Sequence, residues 1–139
     1  MILVDSSVWI DLFIGRVTLQ TAMLEEFIRG EQDIGIGDLI LIEVLQGTAD
    51  GGVRAKTEQF LSEFLPVQIC DHAIAIAAAR NYQVLRARGI TIRKTIDTLI
   101  ATRCILDDLP LLYSDRDFDP FVAHLGLRSA ATDFPGVMK

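Results

Sequence analysis

A chain of 139 residues is long enough to bury one real core and too short for two domains of ordinary size. With 50% hydrophobic and 23% charged residues it is a folding sequence, not a disordered one, and a formal net charge of −6 excludes a generically basic nucleic-acid binder. No apolar run reaches the ~18 residues of a membrane span, and no basic residue precedes Asp5 as a secretory leader would require, so a cytoplasmic protein is expected.

In chain order, Ile2-Leu3-Val4 is an apolar run of the kind found in a strand covered on both faces, and Asp5-Ser6-Ser7 interrupts it where a helix can be capped. Ser7 is expected to cap a short helix that turns Val8, Trp9, Leu12 and Phe13 inward and ends at Gly15. A second helix is expected from Thr18 to Gly30, then a short strand at Ile34-Gly35-Ile36. Asp38 opens a helix to Gly47 that is apolar nearly all round and therefore expected to be buried, with Glu43 as its anomaly. An acid there has to face solvent, pair, or bind a metal, because an unpaired buried carboxylate is costly.

Residues 48–52 read as a polar loop, followed by a helix from Val53 to Phe64 and a third strand at Pro66-Val67-Gln68-Ile69. Asp71 caps an Ala-rich helix that stops at Gly89. Thr95 is expected to cap the next helix, with Asp97 in its first turn and Leu99, Ile100, Ile105 and Leu106 toward the core. Pro110-Leu111-Leu112-Tyr113 is a fourth strand, and Ser114 to Asp119 follow at its end. Leu125 to Ala130 is read as an edge strand and the last residues as a tail. Strands separated by helices give an α/β domain with a mainly parallel sheet. Cys70 and Cys104, with no Cys or His at ligand spacing, are expected to be reduced core thiols, and His72 and His124 to be structural.

Asp5 and Asp115 both follow buried strands, so parallel pairing puts them on one edge of the sheet, and Glu43 and Asp97 lie on helices at that edge. Taken singly, Asp5 and Asp38 also fit as helix caps, Asp97 as a complement to the helix dipole, and Asp115, Asp117 and Asp119 as a solvated turn. Taken together, four neighbouring carboxylates cannot all stay charged without a cation. An all-oxygen set suits Mg²⁺ or Mn²⁺, ions that can also hold a substrate phosphate and activate water for in-line attack. Six of the 13 basic residues, Arg80, Arg86, Arg88, Arg93, Lys94 and Arg103, cluster around Asp97 in sequence. Of these, Arg86, Arg88, Arg93 and Lys94 are candidates to guide a polyanion, with a solvated helix face as the plainer reading.

Asp5-Ser6-Ser7-Val8, Glu43, Arg93-Lys94-Thr95-Ile96-Asp97-Thr98-Leu99-Ile100-Ala101 and Leu112-Tyr113-Ser114-Asp115-Arg116-Asp117-Phe118 resemble, in order, the signature of PIN-domain ribonucleases, and among them the VapC toxins of bacterial toxin–antitoxin pairs. The resemblance spans nearly the whole chain as a single PIN domain, residues 1–139, and implies a three-layer α/β/α fold with a four- to five-stranded sheet. It implies that Asp5, Glu43, Asp97 and Asp115 ligate Mg²⁺ or Mn²⁺, that Asp117 helps at a second ion, and that Ser7 orients the first Asp. It further implies endonucleolytic RNA cleavage leaving 5′-phosphate and 3′-hydroxyl ends, a homodimer, and inhibition by a VapB-like antitoxin. Ser114 stands where Thr is frequent in the family, at a position that is not a ligand. A receiver domain wants an acidic pair near its start and a haloacid-dehalogenase phosphatase a second Asp where this chain has Ser7, so neither fits. A catalytically silent PIN-like module binding RNA or protein is the alternative, and it would have no need of intact acids.

Overall fold

The run Ile2–Val4 forms β1, and all three of its side chains are buried, as a strand covered on both faces requires. The computed structural model describes residues 1–48 and 50–134. In it β1 pairs in parallel with β2 (Ile34–Gly37) on one side and β4 (Leu111–Leu112) on the other, and β3 (Leu65–Val67) lies outside β2. The order β3-β2-β1-β4 makes a four-stranded, wholly parallel sheet. Sequential strands step one way from β1, and β4 returns to its other side. The crevice beyond the carboxyl ends of β1 and β4 is therefore a topological switch point, where open α/β sheets bind ligands.

Helices α1 (Ser6–Phe13), α2 (Leu19–Arg29), α3 (Asp38–Gln46) and α4 (Gly51–Leu61) pack in succession, α2 and α3 against α1 and α4 against α3. A second group contains α5 (His72–Ala87), α6 (Thr95–Leu106) and α7 (Asp119–Leu125), with α5 packed on both of the others. A short α8 (Ala130–Asp133) lies against β4. The result is the expected α/β/α arrangement. Trp9 is fully buried and anchors the first group, its ring 5.1 Å from Phe64 and 6.2 Å from Phe60 by centroid.

Close approach in the sheet explains two glycines. A Cβ at Gly35 would lie 2.8 Å from Val67 Cγ2, and one at Gly37 would lie 2.8 Å from Ile69 Cδ1, so side chains at either position would push β3 and its continuation off β2.

Several local expectations shift. Asp5, not Ser7, caps α1, its carboxylate accepting the Ser7 N–H. Lys94, not Thr95, occupies the cap position of α6 and gives it no side-chain hydrogen bond. Asp50 caps α4 through the Gly52 and Val53 N–H groups, so that helix starts earlier than Val53 and ends at Leu61. The third strand moves back to Leu65–Val67 because the Ile69 N–H is bound by Asp38 Oδ1 at 3.0 Å and leaves the ladder. Helix α3 is not buried all round: Ile40 and Val44 are, while Ile42 is 54% exposed. Leu106, placed in the core from sequence, is exposed at the end of α6, and Cys70 is half-buried where Cys104 is buried.

The edge strand expected over Leu125 to Ala130 reduces to a single parallel bridge between Leu111 and Ser129. Leu125 instead closes α7, a helix begun by Pro120 in its first turn and ended by Gly126 at φ +79°, the left-handed stop that glycine adopts freely. The expected tail, 135–139, and Ala49 of the loop lie outside the described residues. No helix among the described residues is long and apolar enough to cross a membrane.

Candidate metal centre

Asp5 leaves the end of β1 and turns directly into α1, which fixes its carboxylate at the switch point. Its Oδ2 accepts the Ser7 N–H at 3.1 Å and the Ser7 hydroxyl at 2.6 Å. The same hydroxyl oxygen accepts the Ser114 N–H at 3.2 Å, tying the loop after β4 to the loop after β1. Asp5 is 3% exposed, and its Oδ1 is buried with no hydrogen-bond partner among the described residues. Such an orphan oxygen is costly unless something outside the protein chain meets it.

Glu43 reaches this edge from α3 and accepts the Ser6 hydroxyl at 3.3 Å. Asp97, in the first turn of α6, is 4% exposed, with Oδ2 buried and likewise unpartnered. Asp115 follows β4, and its Oδ1 accepts the Asp117 N–H at 2.9 Å, capping the 3₁₀ turn Arg116–Phe118. Asp97, Asp115 and Asp117 each offer a carboxylate oxygen within 4.8 Å of the others. Asp117 thus belongs to the acidic trio that could share one ion among the described residues. Asp5 and Glu43 are outside that trio but within electrostatic reach of it.

The charges register in the protonation equilibria. Burial pushes the Asp97 carboxyl up, with Asp5, Asp115 and Glu43 adding to the rise against Lys94, to about 7. Burial likewise raises Asp5, opposed by its hydrogen bonds from Ser7, and raises Glu43, with Asp5 adding to it. Lys94 places Nζ 3.4 Å from Asp115 Oδ2, which raises its own pKa. The donor set is all carboxylate oxygen, two of its buried oxygens have no partner among the described residues, and three of its acids are within one ion's reach of each other. Those properties fit a hard divalent cation such as Mg²⁺ or Mn²⁺.

The basic cluster read from sequence disperses. Lys94 faces the carboxylates, and Arg103 is half-buried between Asp71 at 3.0 Å and Asp107 at 3.2 Å while also donating to the Ile69 carbonyl. Arg88 contacts His124 Nδ1 at 3.3 Å, Arg86 contacts the Tyr82 hydroxyl at 3.5 Å, and both are exposed, as is Arg93. Sequence reasoning missed Ser6 as the partner of Glu43. Its only signal was a second hydroxyl beside Ser7, and without the fold nothing pairs it with an acid 37 positions away.

A parallel α/β domain whose switch point gathers carboxylates in this way offers a candidate site for a divalent cation and for a phosphate such an ion could hold. The profile of the PIN domain family matches residues 2–121, and the chain belongs to that family. Among curated proteins it is similar to "VapC ribonuclease Mb1587" of Mycobacterium bovis and to "Ribonuclease VapC11" of Mycobacterium tuberculosis. Each is 29% identical over 136 residues, 94% of this chain and 98% of the relative. Among solved structures it resembles a chain of the VapBC2 complex of Rickettsia felis bound to a DNA fragment from its promoter, at TM-score 0.73 and 18% identity. It also resembles a chain of a toxin–antitoxin complex from Klebsiella pneumoniae, at TM-score 0.65 and 22% identity. Both likenesses cover 93% of this chain and 97% of the other, and at those identities they are likenesses of fold.

Proposed function

We propose that this chain is a VapC-type endoribonuclease toxin that hydrolyses RNA phosphodiester bonds with a divalent ion, and that a VapB-like antitoxin holds it in check. The observation that carries the reading is the convergence of Asp5, Glu43, Asp97, Asp115 and Asp117, drawn from the whole length of the chain, on the β1–β4 crevice. A silent binding module would have no use for buried, unpartnered carboxylate oxygens, whose cost the fold bears at Asp5 and Asp97.

In this reading Asp97, Asp115 and Asp117 would hold a shared ion, with Asp5 and Glu43 completing the set. When bound, Mg²⁺ or Mn²⁺ would neutralise charge on the scissile phosphate and lower the pKa of the attacking water. The chain's own contribution is orientation. Ser7 holds the Asp5 carboxylate through Oδ2 and pins the β4 loop to it, and Ser6 steers Glu43. Burial at Asp5 and Asp97 keeps water from competing for their oxygens. Exposed Arg86, Arg88 and Arg93, at the end of α5 and in the segment leading to α6, would draw the RNA backbone toward an otherwise acidic protein.

The antitoxin assignment draws on the relatives and on a surface suited to an apolar segment. A groove of about 410 Å³ runs between α1, α3 and α4, lined by Ile10, Phe13, Ile14, Val44, Val53 and Thr57. Ile14 is 63% exposed and Val53 52%, so the groove offers a contiguous greasy face to a partner helix. By the same family reading, the chain works as a cytoplasmic homodimer.

The test is cleavage of total cellular RNA by the purified chain with Mg²⁺. Cleavage that ends with EDTA and with Asp97→Ala is expected, and cleavage surviving both refutes the reading.

A further inference from the structure

Lys94 is the wrong residue for its place in the helix. It is the N-cap of α6, a position that favours Ser, Thr, Asp or Asn, and its side chain makes no capping bond. A cation at a helix N-terminus also opposes the macrodipole. Local rules broken in this way collect where function requires them. The backbone at Lys94 is extended, φ −114° and ψ 115°, and the ammonium lies 3.4 Å from Asp115 Oδ2. Its charge also acts on Asp97 and Glu43, and the Asp117 charge acts on it. Among the described residues no other basic side chain forms an ion pair with these acids.

Taking the carboxylates as an ion site, we propose that Lys94 is the resident counter-cation of that site, pairing with Asp115 when no metal is bound and competing with the metal for it. The side chain of Lys94 is 59% exposed and that of Asp115 29%, so the ammonium can swing out on its flexible stem when an ion takes its place. The arrangement has two consequences. In the metal-free chain Lys94 offsets part of the repulsion among the acids. In the loaded chain its displacement subtracts from the affinity for the ion. The site therefore fills at a somewhat higher concentration of divalent ion than it would without Lys94.

The experiment is a titration of the full chain with Mn²⁺ at pH 8, following free Mn²⁺ by electron paramagnetic resonance, with melting temperatures in EDTA measured in parallel. Lys94→Met is expected to bind Mn²⁺ about fivefold more tightly, the upper range for a partly exposed charge pair. In EDTA it is expected to melt lower than the wild type. Lys94→Arg, which keeps the charge, is expected to stay within about twofold of the wild type in affinity. Unchanged or weaker Mn²⁺ binding by Lys94→Met, with Asp97→Ala abolishing binding, overturns this proposal and leaves the ion site standing. Failure of the wild type to bind Mn²⁺ at all overturns both.

Discussion

Two adjacent strands end in the same local device and do different things with it. At the end of β1, Asp5 accepts the N–H two residues on; at the end of β4, Asp115 does the same. Asp5 is 3% exposed, is held again by the Ser7 hydroxyl, and has no cation paired to it among the described residues. The Asp115 side chain is 29% exposed and has Lys94 beside it. One end of the crevice is desolvated and fixed, the other wet and charge-compensated. In the proposed site, geometry is set at the first and charge is adjusted at the second.

The sharpest way to break that contrast is to neutralise each acid. Asp5→Asn and Asp97→Asn are expected to lower RNA cleavage by more than about 100-fold, beyond the usual effect of losing a residue that only supports a ligand. In EDTA at pH 8 the same variants are expected to melt roughly 3–5 °C higher, because an amide there carries no charge to desolvate. Asp115→Asn should lose cleavage equally but gain no stability, since Lys94 loses its partner. Equal melting shifts in all three, measured by calorimetry, would erase the distinction between the two ends.

Ser7→Ala probes the fixed end without removing an acid. It deletes the 2.6 Å bond to Asp5 and the acceptor of the Ser114 N–H, so cleavage should fall by about 10- to 100-fold. Stability should fall by about 1–2 kcal/mol in urea melts. Ser6→Ala, which loses only the longer 3.3 Å bond to Glu43, should cost less on both counts.

The pH dependence of the metal-free chain has a definite sign. Asp97 titrates near 7 folded against an ordinary 3.8, so between those values the folded chain holds a proton that the unfolded chain has released. Its contribution is fully present below about pH 4 and is lost as pH rises through about 7. Melting curves in EDTA should show this fall for the wild type, a flatter profile for Asp97→Asn, and recovery at pH 8 on adding Mn²⁺. The smallest expected effect is at the rim: Arg86→Glu with Arg93→Glu should weaken RNA binding and reduce its salt slope by about one for each phosphate no longer neutralised. An unchanged slope would take these residues out of the account.

Much of this could be read in advance. Ile2-Leu3-Val4 followed by Asp-Ser-Ser, and Leu111-Leu112 followed two residues on by Ser-Asp, each announced a buried strand ending in an acid, and the parallel sheet brings those ends together. Glu43 stood out because the helix around it is so apolar. What the sequence concealed depends on long-range geometry. Nothing in Lys94 says that its ammonium turns back toward residue 115, or that Arg103 is claimed by Asp71. The outward face of α3 misled for a different reason: periodicity reports hydrophobicity, and an apolar side chain left exposed, as Ile42 is, reads the same as one in a core. Helix α7 was legible and went unread, since Pro120 and Gly126 bracket it as start and stop.

The pairing of β1 with β4 also bears on how a cell can make such a protein. A ribosome delivers Asp5 long before Asp115, and the crevice has no second wall until β4 has emerged and docked. A nascent chain still tethered to its own messenger therefore carries an incomplete set of acids for most of its synthesis. Because the last strand in sequence pairs with the first, the carboxylate cluster is assembled only once the whole sheet has been translated.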